Sequence, residues 1–229
     1  MAHKIIKSLF LLLVLLNLVS NCAHAAPQVP CFFIFGDSLA DNGNNNNLVT
    51  AAKANYRPYG IDFPDGTTGR FTNGRTTLLY LLGARKIALP GLGSIGSIPY
   101  SVSTLCRNNL SCVTNINNAV QPFNARLVSL VDELNRELTD ARFIYLNTSG
   151  MSSGDPSMLG FRVIDTGCCP ARSDGQCIQD STPCQNRNEY VFWDAIHPTE
   201  AVNRFTASRS YNASLPSDAY PADISHLVN

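Results

Sequence analysis

Apolar and polar residues fall along this chain in blocks of different kinds. Leu9–Leu16 is an unbroken run of Leu, Phe and Val behind a basic start at His3, Lys4 and Lys7. Phe32–Phe35 is a second, shorter run that stops at Gly36-Asp37-Ser38. A short continuous apolar run closed by a glycine turn predicts a buried parallel strand. Residues 39–75 are rich in Gly, Asn, Asp and Pro and predict a long surface loop. Arg85–Leu89 reads as a further strand, ended by Pro90 and the glycines of "PGLGSIGSIP". Over residues 113–141, Phe123, Leu127, Leu130, Val131, Leu134 and Leu138 recur at steps of three and four, with Asp132, Glu133, Arg136 and Glu137 between them. That period predicts an amphipathic helix. Arg142–Leu146 follows as a strand. A cysteine-rich loop, an apolar Tyr190–Trp193, a helix from Pro198 to about Ser208 and a loose polar tail complete the chain. There is no internal repeat. Strand, helix and strand in succession predict a three-layer α/β fold with a parallel sheet. In such sheets reacting groups sit at the carboxyl ends of strands, which is where Ser38 stands.

Composition narrows the picture. The leading apolar run is too short for a membrane span, which takes ~20 apolar residues. With its basic start and Ala23-His24-Ala25 it predicts a secretory signal peptide over residues 1–26, cut after Ala25 or Ala26. Residues 27–229 then form one domain with no stable membrane anchor. This mature chain has 15 Lys and Arg against 17 Asp and Glu, a balance without the basic footprint of a nucleic-acid partner. Seven cysteines remain after Cys22 leaves: Cys31, Cys106, Cys112, Cys168, Cys169, Cys177 and Cys184. An odd number leaves at least one thiol unpaired or one intermolecular bridge. The last four superficially outline a metal cluster, but their spacing fits no common zinc pattern, and an exported chain meets an oxidising environment, so disulfides are expected and no metal. Asn109, Asn147 and Asn212 each begin an Asn-x-Ser glycosylation acceptor.

The candidate chemistry centres on Ser38. A serine hydroxyl needs a base to take its proton. The mature chain has two histidines, His197 and His226, and His226 lies in the expected tail. Asp194 precedes His197 by three residues, close enough to share one turn, hold one imidazole nitrogen and leave the other for the serine. Pro198 fits the first turn of the following helix. Bland readings compete: Gly-Asp-Ser after a strand is often a turn in which Asp37 or Ser38 caps a backbone N–H, and Asp-x-x-His before proline is often a helix start.

A resemblance weighs the balance. Gly36-Asp37-Ser38-Leu39 followed by Asp41-Asn42-Gly43-Asn44-Asn45 resembles the first block of plant GDSL esterase/lipase proteins of the SGNH hydrolase superfamily. "RPYGIDFPDGTTGRFTNGRT", "GARKIALPGLGSIG", "INNAVQPFNARLVSLVDELN", "GFRVIDTGCC" and "YVFWDAIHPTEAVN" resemble its later segments in order. The resemblance implies a flavodoxin-like α/β/α SGNH hydrolase fold, with Ser38 as nucleophile, His197 as base and Asp194 as its orienter. It implies two-step hydrolysis of a small-molecule ester or lipid through an acyl-enzyme, without cofactor, by a secreted protein of the extracellular space or cell wall.

Two departures accompany it. Ser97 stands where many relatives have Cys, and Cys106 and Cys112 then pair with each other or leave one free. More seriously, "GRFTNGRT" runs within a few residues into "GARKIAL", where the family has a long middle stretch carrying a conserved Gly and a Gly-x-Asn-Asp motif. No Asn-Asp dipeptide exists in the chain. Those groups donate to the oxyanion alongside the nucleophile's own backbone N–H, so the fold is expected to be incomplete, without its second and third strands, and two donors are absent. If the first strand then paired directly with the fourth, Ser38 would shift by one strand spacing, ~4.8 Å, relative to His197 unless loops compensate. The rival to a weakened hydrolase is a non-catalytic binding or cell-wall protein on a degenerate scaffold.

Overall fold

The computed structural model describes residues 37–75, 86–139 and 141–229, all within the compact unit Cys31–Asn229. The expected signal peptide, the strand at Phe32–Phe35, Cys31 and the junction at Thr77–Leu82 lie outside the described residues. The described elements in chain order are β1 (Lys86–Pro90), α1 (Leu110–Glu137), β2 (Arg142–Leu146), α2 (Thr148–Met151), β3 (Val163–Gly167), β4 (Tyr190–Phe192), α3 (Glu200–Tyr211), β5 (Ala219–Tyr220) and α4 (Ile224–Val228).

β1 and β2 pair in parallel, Lys86 opposite Arg142 through Pro90 opposite Leu146. The long crossover through α1 is what a parallel pair requires. β2 is the middle strand of three, because β5 adds to its other edge, antiparallel, with Tyr220 opposite Tyr145. Strand alternation sorts its side chains: Ile144 and Leu146 are buried with Leu227 of α4 and with Ala88 and Ala219. Tyr145 faces the other way, its hydroxyl beside Gly91 and Asn124 of α1. Helices thus flank the sheet on both sides, an α/β arrangement consistent with an incomplete SGNH fold. A separate two-stranded sheet joins β3 and β4 in parallel.

α1 begins where the Asn109 side chain accepts the Cys112 N–H, and it runs through Pro122 on its exposed side. Its seam differs from the apolar stripe read from the sequence. Phe123 and Leu138 are exposed, and the buried positions are Val120, Asn124 and Val131, spaced by four and seven. Two asparagines dock the helix by clipping backbone at both polar groups. Asn124 accepts from Leu92 N–H at 2.8 Å and donates to Leu92 C=O at 2.9 Å. Asn135 does the same to Phe143, both at 2.8 Å. Such pairing satisfies the backbone just past the end of β1 and near the start of β2.

The polar C-terminal stretch is ordered, against the expectation of a loose tail. It supplies β5 and α4, and Leu227 is 2% exposed. Charge fixes it as well as apolar contact. Arg209 of α3 donates to both carboxylate oxygens of Asp218, through Nε at 2.9 Å and through a terminal nitrogen. The same guanidinium donates to the Met151 carbonyl at 3.0 Å, and Asp218 also accepts from the Ser214 and Leu215 N–H groups. Asp218 is 1% exposed, so removing it strands a largely buried cation. Asp218→Ala is expected to cost about 3 kcal/mol of stability, read as a lower urea midpoint at pH 7. Burial alone would raise the Asp218 carboxyl, but Arg209 and the two amides outweigh it and hold the group below its ordinary value. A depressed carboxyl contributes stability that is whole above the unfolded value of about 4 and drains as pH falls through the lowered folded value. The gap between wild type and variant is therefore expected to narrow in acid.

Candidate active site

The site is assembled on the turn after β4. Gly167 of β3 lies opposite Phe192, and Cys168 and Cys169 N–H donate to the Phe192 and Trp193 carbonyls at 3.0 and 2.8 Å. A Cβ on Gly167 would stand 2.5 Å from the Asp194 carbonyl oxygen, so glycine is what lets the two backbones approach this closely. Disulfides Cys168–Cys184 and Cys169–Cys177 close loops beside this turn, and Cys106–Cys112 closes a third at the start of α1. The expected disulfides are therefore present, Cys106 and Cys112 pair with each other, and among the described residues no group of side chains is placed to hold a metal.

Asp194 is fully buried, and its carboxylate accepts four donors. Oδ1 takes the Ile196 and His197 N–H groups, both at 2.7 Å. Oδ2 takes the Tyr59 hydroxyl at 2.6 Å and faces His197 Nδ1 at 2.7 Å. A carboxylate already accepting three donors accepts the fourth as well, so Nδ1 carries the imidazole proton and Nε2 is left with its lone pair. Nε2 stands 2.7 Å from Ser38 Oγ. The three residues singled out in the sequence are thus in line, Ser38 to His197 to Asp194. The turn reading of Gly-Asp-Ser holds alongside: Asp37 Oδ1 accepts the Leu39 N–H at 2.9 Å, while the Ser38 hydroxyl goes to the histidine. Pro198 precedes the helix instead of opening it. Thr199 is the N-cap, and α3 starts at Glu200.

Ser38 is not set off from His197 by a strand spacing, the displacement that direct pairing of the first and fourth strands would give unless loops compensated. The reason lies in the loop 39–75, which the sequence reading treated as surface. Its residues grip the histidine turn directly. Tyr59 binds Asp194, the Phe71 ring lies 4.9 Å from the His197 ring, Thr72 Oγ1 donates to the Pro198 carbonyl at 3.2 Å, and Asn73 Oδ1 accepts the Glu200 N–H at 2.8 Å. Ala54, Tyr59 and Phe71 share a buried cluster with Trp193 and the cysteines. Tyr59, Phe71 and Asn73 are the residues that sequence reasoning missed. The available signal was four aromatic residues, Tyr56, Tyr59, Phe63 and Phe71, inside a stretch otherwise rich in polar residues and glycine.

Other candidates fall elsewhere. His226 repeats the Asp-x-x-His spacing with Asp223, its Nδ1 2.7 Å from Asp223 Oδ1, but its side chain is 74% exposed, against 4% for His197. Asn109 and Asn212 are exposed. Asn147 is not: its amide accepts from Gly150 N–H and donates to the Ser217 carbonyl, both at 2.9 Å. Two concavities of about 410 and 540 Å³ occur, one beside Tyr145 and Asn147, the other beside Gly167 and Ala195; neither is lined by Ser38 or His197. No described helix is long and apolar enough to cross a membrane.

Comparison with known proteins gives this geometry its setting. The family described as GDSL-like lipase/acylhydrolase matches residues 77–210, more than half the chain and including Asp194 and His197. GDSL esterase/lipase At1g29670 of Arabidopsis thaliana is 34% identical over 340 aligned positions, covering 90% of this chain and 93% of the relative. GDSL esterase/lipase At5g45670 of the same plant is 31% identical over 343, covering 91% and 95%. Both aligned spans exceed the 229 residues of the chain, so the excess is length that the relatives have and this chain lacks. The chain therefore belongs to the GDSL esterase/lipase family of carboxylic ester hydrolases.

Proposed function

We propose that this chain is a secreted serine hydrolase of carboxylic esters, lipid-type esters among them, whose turnover is low because part of its oxyanion site is missing. The observation that carries the reading is the 2.7 Å approach of His197 Nε2 to Ser38 Oγ, with Asp194 on the opposite ring nitrogen. In the first step His197 takes the Ser38 proton as Oγ attacks the ester carbonyl, and the resulting imidazolium is stabilised by Asp194. The tetrahedral centre collapses, His197 returns the proton to the leaving alkoxide, and an alcohol departs from an acyl-Ser38 ester. Water enters, loses a proton to the same Nε2, and releases the carboxylic acid and free serine. Residues 1–26 serve as the export signal in this reading, and Asn109 and Asn212 are the exposed glycan acceptors. The half-buried Asn147 amide has both its polar ends engaged.

The second reading, a non-catalytic binding protein, is favoured by one fact, the lack of any Asn-Asp dipeptide. Hydrolysis of p-nitrophenyl butyrate separates the two. The purified chain is expected to release nitrophenolate slowly, and Ser38→Ala to fall to the buffer rate. No release by the wild type, or release that survives Ser38→Ala, would count against the hydrolase.

A further inference from the structure

Among the described residues, Tyr59 is the one outside the Ser38–His197–Asp194 line whose side chain is seen to bond the Asp194 carboxylate. Its ring is fully buried, packed edge-on against Tyr56 and Phe71 at centroid distances of 5.3 and 5.8 Å. The hydroxyl is used twice. It accepts the Cys177 N–H at 3.2 Å and donates to Asp194 Oδ2 at 2.6 Å, within the short range of hydroxyl–carboxylate bonds. Cys177 is itself pinned by its disulfide to Cys169, whose N–H bonds the carbonyl of Trp193, the residue before Asp194. A closed circuit results: Cys177 amide, Tyr59 hydroxyl, Asp194 carboxylate, Trp193 backbone, and Cys169 back to Cys177.

The oxygen chosen is informative. Oδ1 is fixed by two backbone N–H groups of its own turn, which sets the carboxylate in place but leaves it able to pivot about that oxygen. Oδ2 is the oxygen that faces the imidazole. A second donor on Oδ2 fixes the carboxylate plane and shares the lone pairs that hold Nδ1–H. The phenol is a dependable donor, because burial first, and then the adjacent Asp194 charge, push it far above its usual range.

We propose that Tyr59 is a positioning residue for this site: its hydroxyl locks Asp194 Oδ2 so that the carboxylate holds the His197 ring in line with Ser38. The proposal rests on the hydrolase reading above for its kinetic consequence, though not for its structural one. Tyr59→Phe deletes one oxygen and keeps the ring in its pocket. Losing a hydrogen bond to a charged group is expected to lower kcat for p-nitrophenyl butyrate about tenfold, with KM unchanged, since Tyr59 lies behind the aspartate and not in the path of the ester.

The readout that does not need turnover is the downfield proton resonance of His197 Nδ1–H. With its competitor gone, Oδ2 accepts that proton more strongly, and the resonance moves downfield in Tyr59→Phe. A ring-fluorinated tyrosine at position 59, which preserves the fold and strengthens the donor, moves it upfield. A lower melting temperature with unchanged kcat and an unmoved resonance would overturn the proposal and make Tyr59 a packing residue only. Movement of the resonance in Tyr59→Phe, with no hydrolysis by the wild type, would uphold the role of Tyr59 and sink the hydrolase reading instead.

Discussion

Purified chain is expected to hydrolyse p-nitrophenyl butyrate about 10⁴-fold more slowly than the longer relative GDSL esterase/lipase At1g29670. The serine, histidine and aspartate are in register, so the deficit does not come from activating the nucleophile. It comes from the next event. When Ser38 adds to the carbonyl, negative charge gathers on an oxygen that must be met by fixed donors in a site shielded from water. Family resemblance implies three such donors, the nucleophile's own N–H, a glycine N–H and an asparagine amide. The last two belong to the middle stretch that is not encoded between "GRFTNGRT" and "GARKIAL". Loss of one donor typically lowers turnover by ~10²–10³, so two lost together reach ~10⁴ even at the lower figure. A rate within tenfold of the relative would mean that other groups of this chain have taken over the oxyanion, and the Asn-rich turn 44–47 that follows Ser38 in the chain would be the first place to look.

His197→Gln is expected to slow phosphonylation of Ser38 by an alkyl fluorophosphonate about 10³-fold, in the middle of the range for loss of a general base. Glutamine keeps a polar side chain in a pocket where His197 is 3% exposed, but its amide cannot take up and return a proton. Tyr59 and the two turn amides continue to hold Asp194, so the melting temperature should change little. A labelling rate within threefold of wild type would show that the 2.7 Å contact is a structural hydrogen bond and that Ser38 reacts without this base.

Much of this was legible in the sequence, and the illegible parts share a cause. β1, α1 and β2 were readable because short apolar runs mark the two strands and a three-to-four spacing marks the helix between them. Ser38, Asp194 and His197 could be singled out because chemistry restricts which residue types can do the work, and beyond residue 26 the chain has only two histidines to choose between. β5 and α4 were not, since Ala219–Tyr220 is too short to show alternation, and its order comes from pairing with β2 and from the buried Arg209–Asp218 pair. The seam of α1 was misread for a related reason. Asn124 and Asn135 carry the docking through backbone clips, and a pattern of apolar residues gives such positions no weight. The loop 39–75 concealed the most. A polar, glycine-rich stretch scores as surface whether or not an aromatic ring inside it is buried, and Tyr59 is distinguished only by what lies 135 residues further on.

That loop also accounts for the approach of Ser38 to His197 in a chain that lacks length its relatives have. The grip of Tyr59, Phe71, Thr72 and Asn73 on residues 194–200 fixes the histidine turn relative to the segment that begins at Ser38, without reference to the order of strands beneath. Activation of the serine and stabilisation of the oxyanion are then separable, and the proposed function assigns this chain the first and little of the second.

The central claim is that Ser38 is an activated nucleophile, and covalent labelling tests it most directly. Because phosphonylation is irreversible, label accumulates even where each encounter is slow. After prolonged exposure of the folded chain to a fluorophosphonate, peptide mass spectrometry is expected to find the adduct on Ser38 in the wild type and no adduct in Ser38→Ala. A wild type that stays unlabelled at Ser38 while its melting curve shows it folded would contradict the account.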